Sequence, residues 1–181
     1  QRQMCIRDSL MNCFIISIYL IGFFSDRKIL VSPKKRFLIQ CVLILSFVVI
    51  FDIRIISSRI DLFDIMLDYK IFAIFFSAFC LLILINGSNF IDGLNGLLIS
   101  FTIIVFLMLN KLNLIDNSII SDQSINLIIF VLLLLLLLNI FNYLMLGDSG
   151  AYLLGFFVGF IILSSHINNP DISPYFFISL I

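Results

Sequence analysis

Four polar residues follow one another at helical spacing in residues 86–100, NGSNFIDGLNGLLIS, between two apolar runs. They are Asn86, Asn89, Asp92 and Asn95, and steps of three residues place them on one face of a helix. Three glycines in the same stretch let a neighbouring backbone or a ligand approach closely. A helix cap with interhelical hydrogen bonds uses one or two such residues. Four on one stripe therefore indicate a binding site.

A second acidic residue, Asp148, stands between two glycines in the segment LGDSGAYLLGF, residues 146–156. Gly-Asp-Ser-Gly is also a good turn sequence, so the segment alone carries little weight. Together with Asp92, however, Asp148 offers the hard oxygen ligands that Mg²⁺ combines with water and substrate phosphate oxygens. The pair predicts a magnesium site.

A third acidic residue, Asp26, opens a basic segment, SDRKILVSPKKR, residues 25–36. Basic residues in such a loop set the orientation of a membrane protein and attract anionic lipid headgroups. That role accounts for Lys35 and Arg36 as well as a substrate role does, but it does not require an aspartate. Asp26 is therefore the third candidate for chemistry.

These polar segments interrupt an extremely apolar chain. Of its 181 residues 62% are hydrophobic, the mean hydropathy is +1.21 and the net charge is zero, which excludes a soluble domain and gives no sign of nucleic-acid binding. No alternating pattern suggests a barrel, so the spans should be helices. The sequence predicts an all-α, polytopic transmembrane bundle of about six complete spans and the start of a seventh. The spans are 10–24, 37–53, 71–88, 97–110, 125–146 and 152–166, with the seventh beginning near Tyr175.

Charge in the loops predicts which membrane side each loop faces. The basic segment 25–36 should be cytoplasmic by the positive-inside rule. Alternation of the spans then places residues 86–96 and 147–151 on the same side, and residues 54–70, 111–124 and 167–174 outside. All three candidate segments are thus predicted at one membrane face.

The first nine residues, QRQMCIRDS, are polar and carry no motif. The string MCIRDS is also the translation of a transposon end used to prepare sequencing libraries. We expect residues 1–9 to be a non-native stub, with a natural polar loop as the alternative. Residues 10–181 should then form one transmembrane domain that is incomplete at both ends.

The segments quoted above resemble, in order, those of the polyprenyl-phosphate N-acetylhexosamine-1-phosphate transferases of the WecA and MraY type, glycosyltransferase family 4. The stretch IGFFSDRKILVSPKKRFLIQ looks like the family's Gly-x-x-Asp-Asp segment with its basic residues and Arg-x-x-x-Gln. NGSNFIDGLNGL is similar to Asn-x-x-Asn-x-x-Asp-Gly-x-x-Gly-Leu, and LGDSGAYLLGF to Phe-x-Gly-Asp-x-Gly-Ser. NNPDISPYFF resembles an Asn-Pro-x-x-Ser-Pro stretch of the branch that starts O-antigen and related glycans.

The resemblance implies a reaction. A sugar 1-phosphate passes from a UDP-N-acetylhexosamine to undecaprenyl phosphate with release of UMP, on the cytoplasmic face of the bacterial inner membrane. It implies Mg²⁺, or Mn²⁺ in its place, as cofactor, membrane lipid and a second copy of the chain as partners, and no nucleic acid.

The resemblance also implies a role for each candidate residue. Asp26, Asp92 and Asp148 would be catalytic, and Asp148 would hold the metal. Asp26 would orient or deprotonate the lipid phosphate or help to hold the metal. The substrate-binding residues would be Asn86, Asn89, Asn95, Lys35 and Arg36.

Two departures from the family pattern keep other interpretations open. Ser25 replaces the first acidic residue of the pair, and Tyr143 replaces a lysine five residues before Asp148. The family's histidine-bearing loop would lie beyond Ile181. A catalytically degenerate scaffold is therefore one alternative. A transporter segment is another, although its ionisable groups should line several spans near the membrane midplane.

Overall fold

The structure is a computed structural model that describes residues 2–116 and 120–179. Within those ranges all regular structure is helical, which confirms the all-α prediction. The eight helices are α1 Arg2–Asp26, α2 Pro33–Phe51, α3 Asp61–Leu67, α4 Lys70–Ile91, α5 Leu97–Lys111, α6 Asp122–Ile140, α7 Gly147–Asn168 and α8 Pro174–Ser179.

Four helices in the described ranges are long and apolar enough to cross a membrane, namely Ile6–Asp26 within α1, α4, Gln123–Ile140 within α6, and α7. The helices of the other two predicted spans differ from these four, α5 in its length and α2 in its charged start. Helix α5 has 15 residues, or about 22 Å at 1.5 Å per residue, against a hydrocarbon core of about 30 Å. Helix α2 begins with three basic residues after Pro33, which shortens its apolar part. The predicted number of six spans and the start of a seventh is therefore not confirmed.

Helix α7 is the central element of the bundle. It packs mainly against α4 and α1, while α2 packs on α4 and α5 packs between α6 and α7. Its membrane segment is 61% buried, whereas that of α6 is 22% buried. The leucine-rich α6 therefore presents most of its surface to lipid, and α7 is the scaffold on which the other helices are placed.

Glycines bring the backbones of α1, α4 and α7 into close contact. A Cβ on Gly22 of α1 would lie 2.4 Å from Ser149 Cα of α7, and one on Gly155 of α7 would lie 2.9 Å from Ile85 Cα of α4. Small residues permit such approaches between helices in membranes. Next to Gly155, the ring of Phe156 packs edge to face on that of Phe47 of α2 at a centroid distance of 4.9 Å.

Loops group at the two ends of the bundle as the alternation of spans predicts. At one end, the end of α1 contacts the start of α7, and the α4–α5 loop contacts the α6–α7 loop. At the other end, Arg59 donates hydrogen bonds to the carbonyl oxygens of Pro170 and Asp171 at 3.1 and 2.8 Å. Asn169 donates to the carbonyl oxygen of Leu114 at 3.1 Å. All three candidate segments lie at the first end.

Helix α1 runs without a break through the expected boundary at residue 9. Residues 2–9 are therefore helical, in contrast to the alternative of a polar loop. The side chains from Ile6 to Ser9 are exposed. A continuous exposed helix is compatible with both origins, so the domain boundary at residues 9 and 10 stays a prediction.

Candidate functional site

Asp26, the last residue of α1, accepts hydrogen bonds from the first turn of α7. Its Oδ1 accepts the backbone N–H of Asp148 at 2.9 Å, and its Oδ2 accepts that of Ser149 at 3.0 Å. The first N–H groups of a helix have no partner within the helix, and a carboxylate beside them also interacts favourably with the helix dipole. Asp26 therefore fixes the N-terminus of α7 against the C-terminus of α1.

Gly147 makes this contact sterically possible. Its φ is +67°, in the left-handed region that favours glycine. A Cβ at this position would lie 2.9 Å from Asp26 Oδ2, in the space that the carboxylate fills. The glycine before Asp148 is thus required twice, by the backbone conformation and by the packing.

Asp148 joins a polar cluster formed by three segments of the chain. Its Oδ2 accepts hydrogen bonds from Arg36 Nη1 at the start of α2 and from Ser25 Oγ at the end of α1. Arg36 Nη1 also donates to Ser25 Oγ. The Arg36 and Asp148 side chains are 19% and 27% exposed, so solvent and solutes reach the ion pair. Ser25, which stands where the family pattern has an acid, is held as a hydroxyl bridge.

Asp92 lies within electrostatic range of this cluster. It is the C-cap of α4, where its N–H donates to the carbonyl oxygen of Ser88 at 3.0 Å. Partial burial raises the pKa of its carboxyl, and the negative charges of Asp148 and Asp26 raise it further. The structure therefore brings the three predicted carboxylates into one electrostatic field.

The asparagine stripe divides between α4 and the loop after it. The side chain of Asn86 donates to Leu82 O of its own helix at 2.9 Å, and the side chain of Asn89 forms no hydrogen bond with any described residue. Both side chains are half-buried, and the space around Gly87 is open, since a Cβ there would meet no atom within 4 Å. This end of α4 therefore carries two half-buried amides on one face, and Gly87 leaves open space on a different face.

Asn95 belongs to a joint between two loops. Its Nδ2 donates to Asn142 Oδ1 at 2.5 Å, and the N–H of Gly96 donates to Asn139 Oδ1 at 2.5 Å. Asn139 Nδ2 in turn donates to the carbonyl oxygen of Leu144 at 2.9 Å. The joint connects the loop after Asp92 with the loop that leads to Asp148. A substrate contact of Asn95 stays a prediction.

The predicted cations differ in their surroundings. Arg36 is a member of the cluster around Asp148, whereas Lys35 is exposed and forms no ion pair with any described residue. Lys35 therefore extends into solvent, where an anionic solute or headgroup would meet its ammonium group.

The oxygen donors at this end fit Mg²⁺. Asp148 Oδ1 accepts no hydrogen bond from the described residues, and Asp26 and Ser25 add oxygens beside it. No three His, Cys, Asp or Glu side chains in the described ranges are grouped closely enough to hold a metal alone. Mg²⁺ commonly uses one or two carboxylates and completes its shell with water and substrate phosphates. The predicted ligands Asp148 and Asp26 suit that arrangement, and their metal role stays a prediction.

Two polar residues at this end were not predicted from the sequence. Asn139 is 5% exposed and Gln40 is 1% exposed. Each is a single amide within an apolar run or at its edge. Burying such a side chain in a membrane helix without a hydrogen-bond partner costs free energy. The position of a single amide within an apolar run could therefore have indicated both residues. For Gln40, the quoted Arg-x-x-x-Gln spacing was a second indication.

A comparison with protein-family models matches residues 9–166, most of the chain, to the model described as Glycosyl transferase family 4. No curated protein and no solved structure matches the chain in the corresponding comparisons. The matched residues include every candidate site residue described above.

Proposed function

Because the chain belongs to glycosyl transferase family 4, a family of membrane sugar-phosphate transferases, we propose that it transfers N-acetylhexosamine 1-phosphate. The donor is a UDP-N-acetylhexosamine, the acceptor is undecaprenyl phosphate, and the products are the lipid-linked sugar pyrophosphate and UMP. This would be the first membrane step of a cell-surface glycan, O-antigen-like or cell-wall.

One observation carries the proposal. Asp26 and Asp148 are 122 residues apart in sequence, and the carboxylate of Asp26 accepts the backbone N–H of Asp148 at the N-terminus of α7. Arg36 and Ser25 belong to the same cluster, and the negative charges of both carboxylates act on the carboxyl of Asp92. A reaction between two phosphate-bearing substrates needs such a set of carboxylates for a cation and a guanidinium for phosphate oxygens.

The chemistry demands positioning more than covalent catalysis. An oxygen of the lipid phosphate attacks the sugar-bearing phosphorus of the donor, the bond to the bridging oxygen breaks, and that oxygen leaves with UMP. When bound, Mg²⁺ supplies charge neutralisation for the pyrophosphate. Asp148 and Asp26 would hold the cation, with Asp26 also fixing the start of α7. Arg36 and Lys35 would bind phosphate oxygens.

The polar end of α4 would bind the soluble substrate. Asn86 and Asn89 are half-buried on one face at this end of α4, and their amides can donate to and accept from a nucleotide sugar. Asn95 would contact the same ligand from the loop, and Asp92 would bind or orient it. One substrate is soluble and the other is lipid-held, so the proposed reaction belongs at the cytoplasmic face of the bacterial inner membrane. The homodimer stays a prediction.

A degenerate scaffold is the second candidate, and one observation favours it. Arg36 already neutralises Asp148, and Ser25 supplies no negative charge in place of the family's first acidic residue. A transporter fits less well, because the candidate acids gather at one end of the bundle.

The proposal is tested with the full-length protein in membranes supplied with labelled UDP-N-acetylhexosamines and undecaprenyl phosphate. We expect transfer of labelled sugar phosphate to lipid, loss of transfer with EDTA and recovery with Mg²⁺. If a correctly inserted protein transfers none of the N-acetylhexosamines, the scaffold becomes the better explanation.

A further inference from the structure

Helix α2 buries a polar side chain whose amide forms no close hydrogen bond in the described part of the chain. Gln40 is 1% exposed, and neither its Nε2 nor its Oε1 forms a hydrogen bond in the described part of the chain. Arg36 lies one turn earlier on the same face of α2, and its Nε is likewise buried and without a partner. Three polar atoms of two adjacent side chains are thus left unpaired.

A third polar group faces them from α7. The hydroxyl of Tyr152 lies close to the Gln40 amide, although outside close hydrogen-bond geometry, and within electrostatic range of Arg36, and Tyr152 is 3% exposed. Buried polar groups in proteins are almost always paired with protein atoms or with ordered water. A buried water occurs where two to four polar partners converge. This location between α2 and α7 meets that condition.

We infer that Gln40 is a positioning residue, which holds Arg36 through a water that its amide shares with Arg36 Nε. The inference rests on the proposed function, because it assigns Arg36 to the phosphates of the substrates. With Nε fixed from inside the bundle, the plane of the guanidinium is fixed. Nη1 then stays on Ser25 and Asp148, and Nη2, which bonds no described residue, can meet an anionic oxygen.

The amide suits this role better than the other side chains that fit the space. A carboxylate would attract the guanidinium as a counter-ion and draw Arg36 away from Asp148. An apolar side chain would pack without burying unpaired polar atoms, so folding alone does not explain a glutamine here. The amide can accept from Nε or from water without competing for the charge.

The test substitutes Gln40→Met, which keeps an unbranched side chain of similar length and removes its hydrogen bonds. We expect kcat/KM for the UDP-sugar to fall about tenfold, a typical size for coupling between neighbours that share partners. The melting temperature should change little, since methionine removes the cost of burying the amide together with the hydrogen bonds that the amide makes. The matched control is Ile44→Met, one turn further along the same buried face, which should leave kcat/KM unchanged.

A double-mutant cycle shows whether Gln40 acts through Arg36. Lysine has no Nε–H donor, so Gln40→Met should cost little further activity in an Arg36→Lys background. Three results would each overturn the inference. They are additive losses of kcat/KM in the double mutant, an unchanged kcat/KM in Gln40→Met, and a loss of activity in Gln40→Met that a lower melting temperature accounts for.

A readout on Arg36 itself separates this inference from the proposed function. If the wild-type protein transfers no sugar phosphate, the proposed function fails, and the positioning is measured by hydrogen exchange of the ¹⁵N-labelled Arg36 Nε–H. We expect slow exchange in the wild type and exchange about tenfold faster in Gln40→Met, the same size of coupling. Equal rates in the two proteins would contradict the role of Gln40.

Discussion

At the residue scale, the three aspartates of the candidate site have different partners and different surroundings. Asp26 satisfies two backbone N–H groups of α7, Asp148 pairs with Arg36, and Asp92 has its pKa raised by burial and by its two neighbours. Carboxylates in one field but in different environments can take different roles. The sequence predicted these residues as a set, because each stands beside a glycine-rich or basic segment at the end of an apolar span. It could not predict their partners, which depend on packing between distant helices.

Asp148→Asn should abolish the proposed transfer. The amide keeps the shape of the side chain and can accept from Arg36 and Ser25, but it removes the negative charge that a hard divalent cation requires. We expect kcat to fall by at least about a hundredfold, the loss seen when one group that stabilises developing charge is removed. The assay measures labelled lipid product, and the amount of inserted protein measures folding. Asn89→Ala is the comparison, and it should mainly raise KM for the UDP-sugar. Full activity in Asp148→Asn would refute the metal role.

Asp92→Asn should stabilise the protein near neutral pH. The folded-state pKa of Asp92 lies above the usual 3.8, so folding disfavours its ionised form. Its contribution to stability is therefore fully present below pH 3.8 and is lost as pH rises through the folded-state pKa. Melting temperatures at pH 7 should rise modestly in Asp92→Asn and converge with the wild type in acid. Asp26→Ala should lower the melting temperature at pH 7, because it leaves two backbone N–H groups of α7 without their acceptor. A lower melting temperature for Asp92→Asn at pH 7 would contradict this account.

At the element scale, the loops depend on contacts that periodicity does not reveal. The sequence predicted a span over residues 125–146, but α6 ends at Ile140. Residues 141–146 instead form a loop in which Asn142 has a φ of +60°. Asn139 holds this loop through the carbonyl of Leu144 and holds the α4–α5 loop through the N–H of Gly96. Apolar residues in a loop look like part of a span when they are judged by hydropathy alone.

Asn139→Leu should uncouple the two loops. The substitution leaves two backbone groups without partners at a position that is 5% exposed. Each such group costs about 1–3 kcal/mol, so we expect a clear fall in melting temperature together with weaker transfer. Asn95→Ala is the milder comparison, because its amide is exposed and water can replace its bond to Asn142. Equal melting temperatures for Asn139→Leu and the wild type would exclude the joint as a structural element.

At the scale of the whole molecule, the two ends of the bundle have different chemistry. One end contains the three acids, Arg36, the asparagines and the glycine turn. At the other end, Arg59 donates hydrogen bonds to the carbonyl oxygens after α7. Charge in the loops predicted this division because alternating helices must return to the same side. The number of full spans could not be obtained in this way, since helix lengths such as that of α5 depend on where loops are held.

The orientation of the bundle is the last prediction, and it decides which substrates reach the site. We expect Lys35, beside the cluster, to face the cytoplasm, and Leu62, exposed in α3 at the opposite end, to face outward. In a background with the native cysteines replaced, Leu62→Cys should react with a membrane-impermeant maleimide in spheroplasts. Lys35→Cys should react only after the membrane is opened. The reverse pattern would place the acidic cluster outside, away from the cell's UDP-sugars, and would refute the proposed reaction together with the orientation.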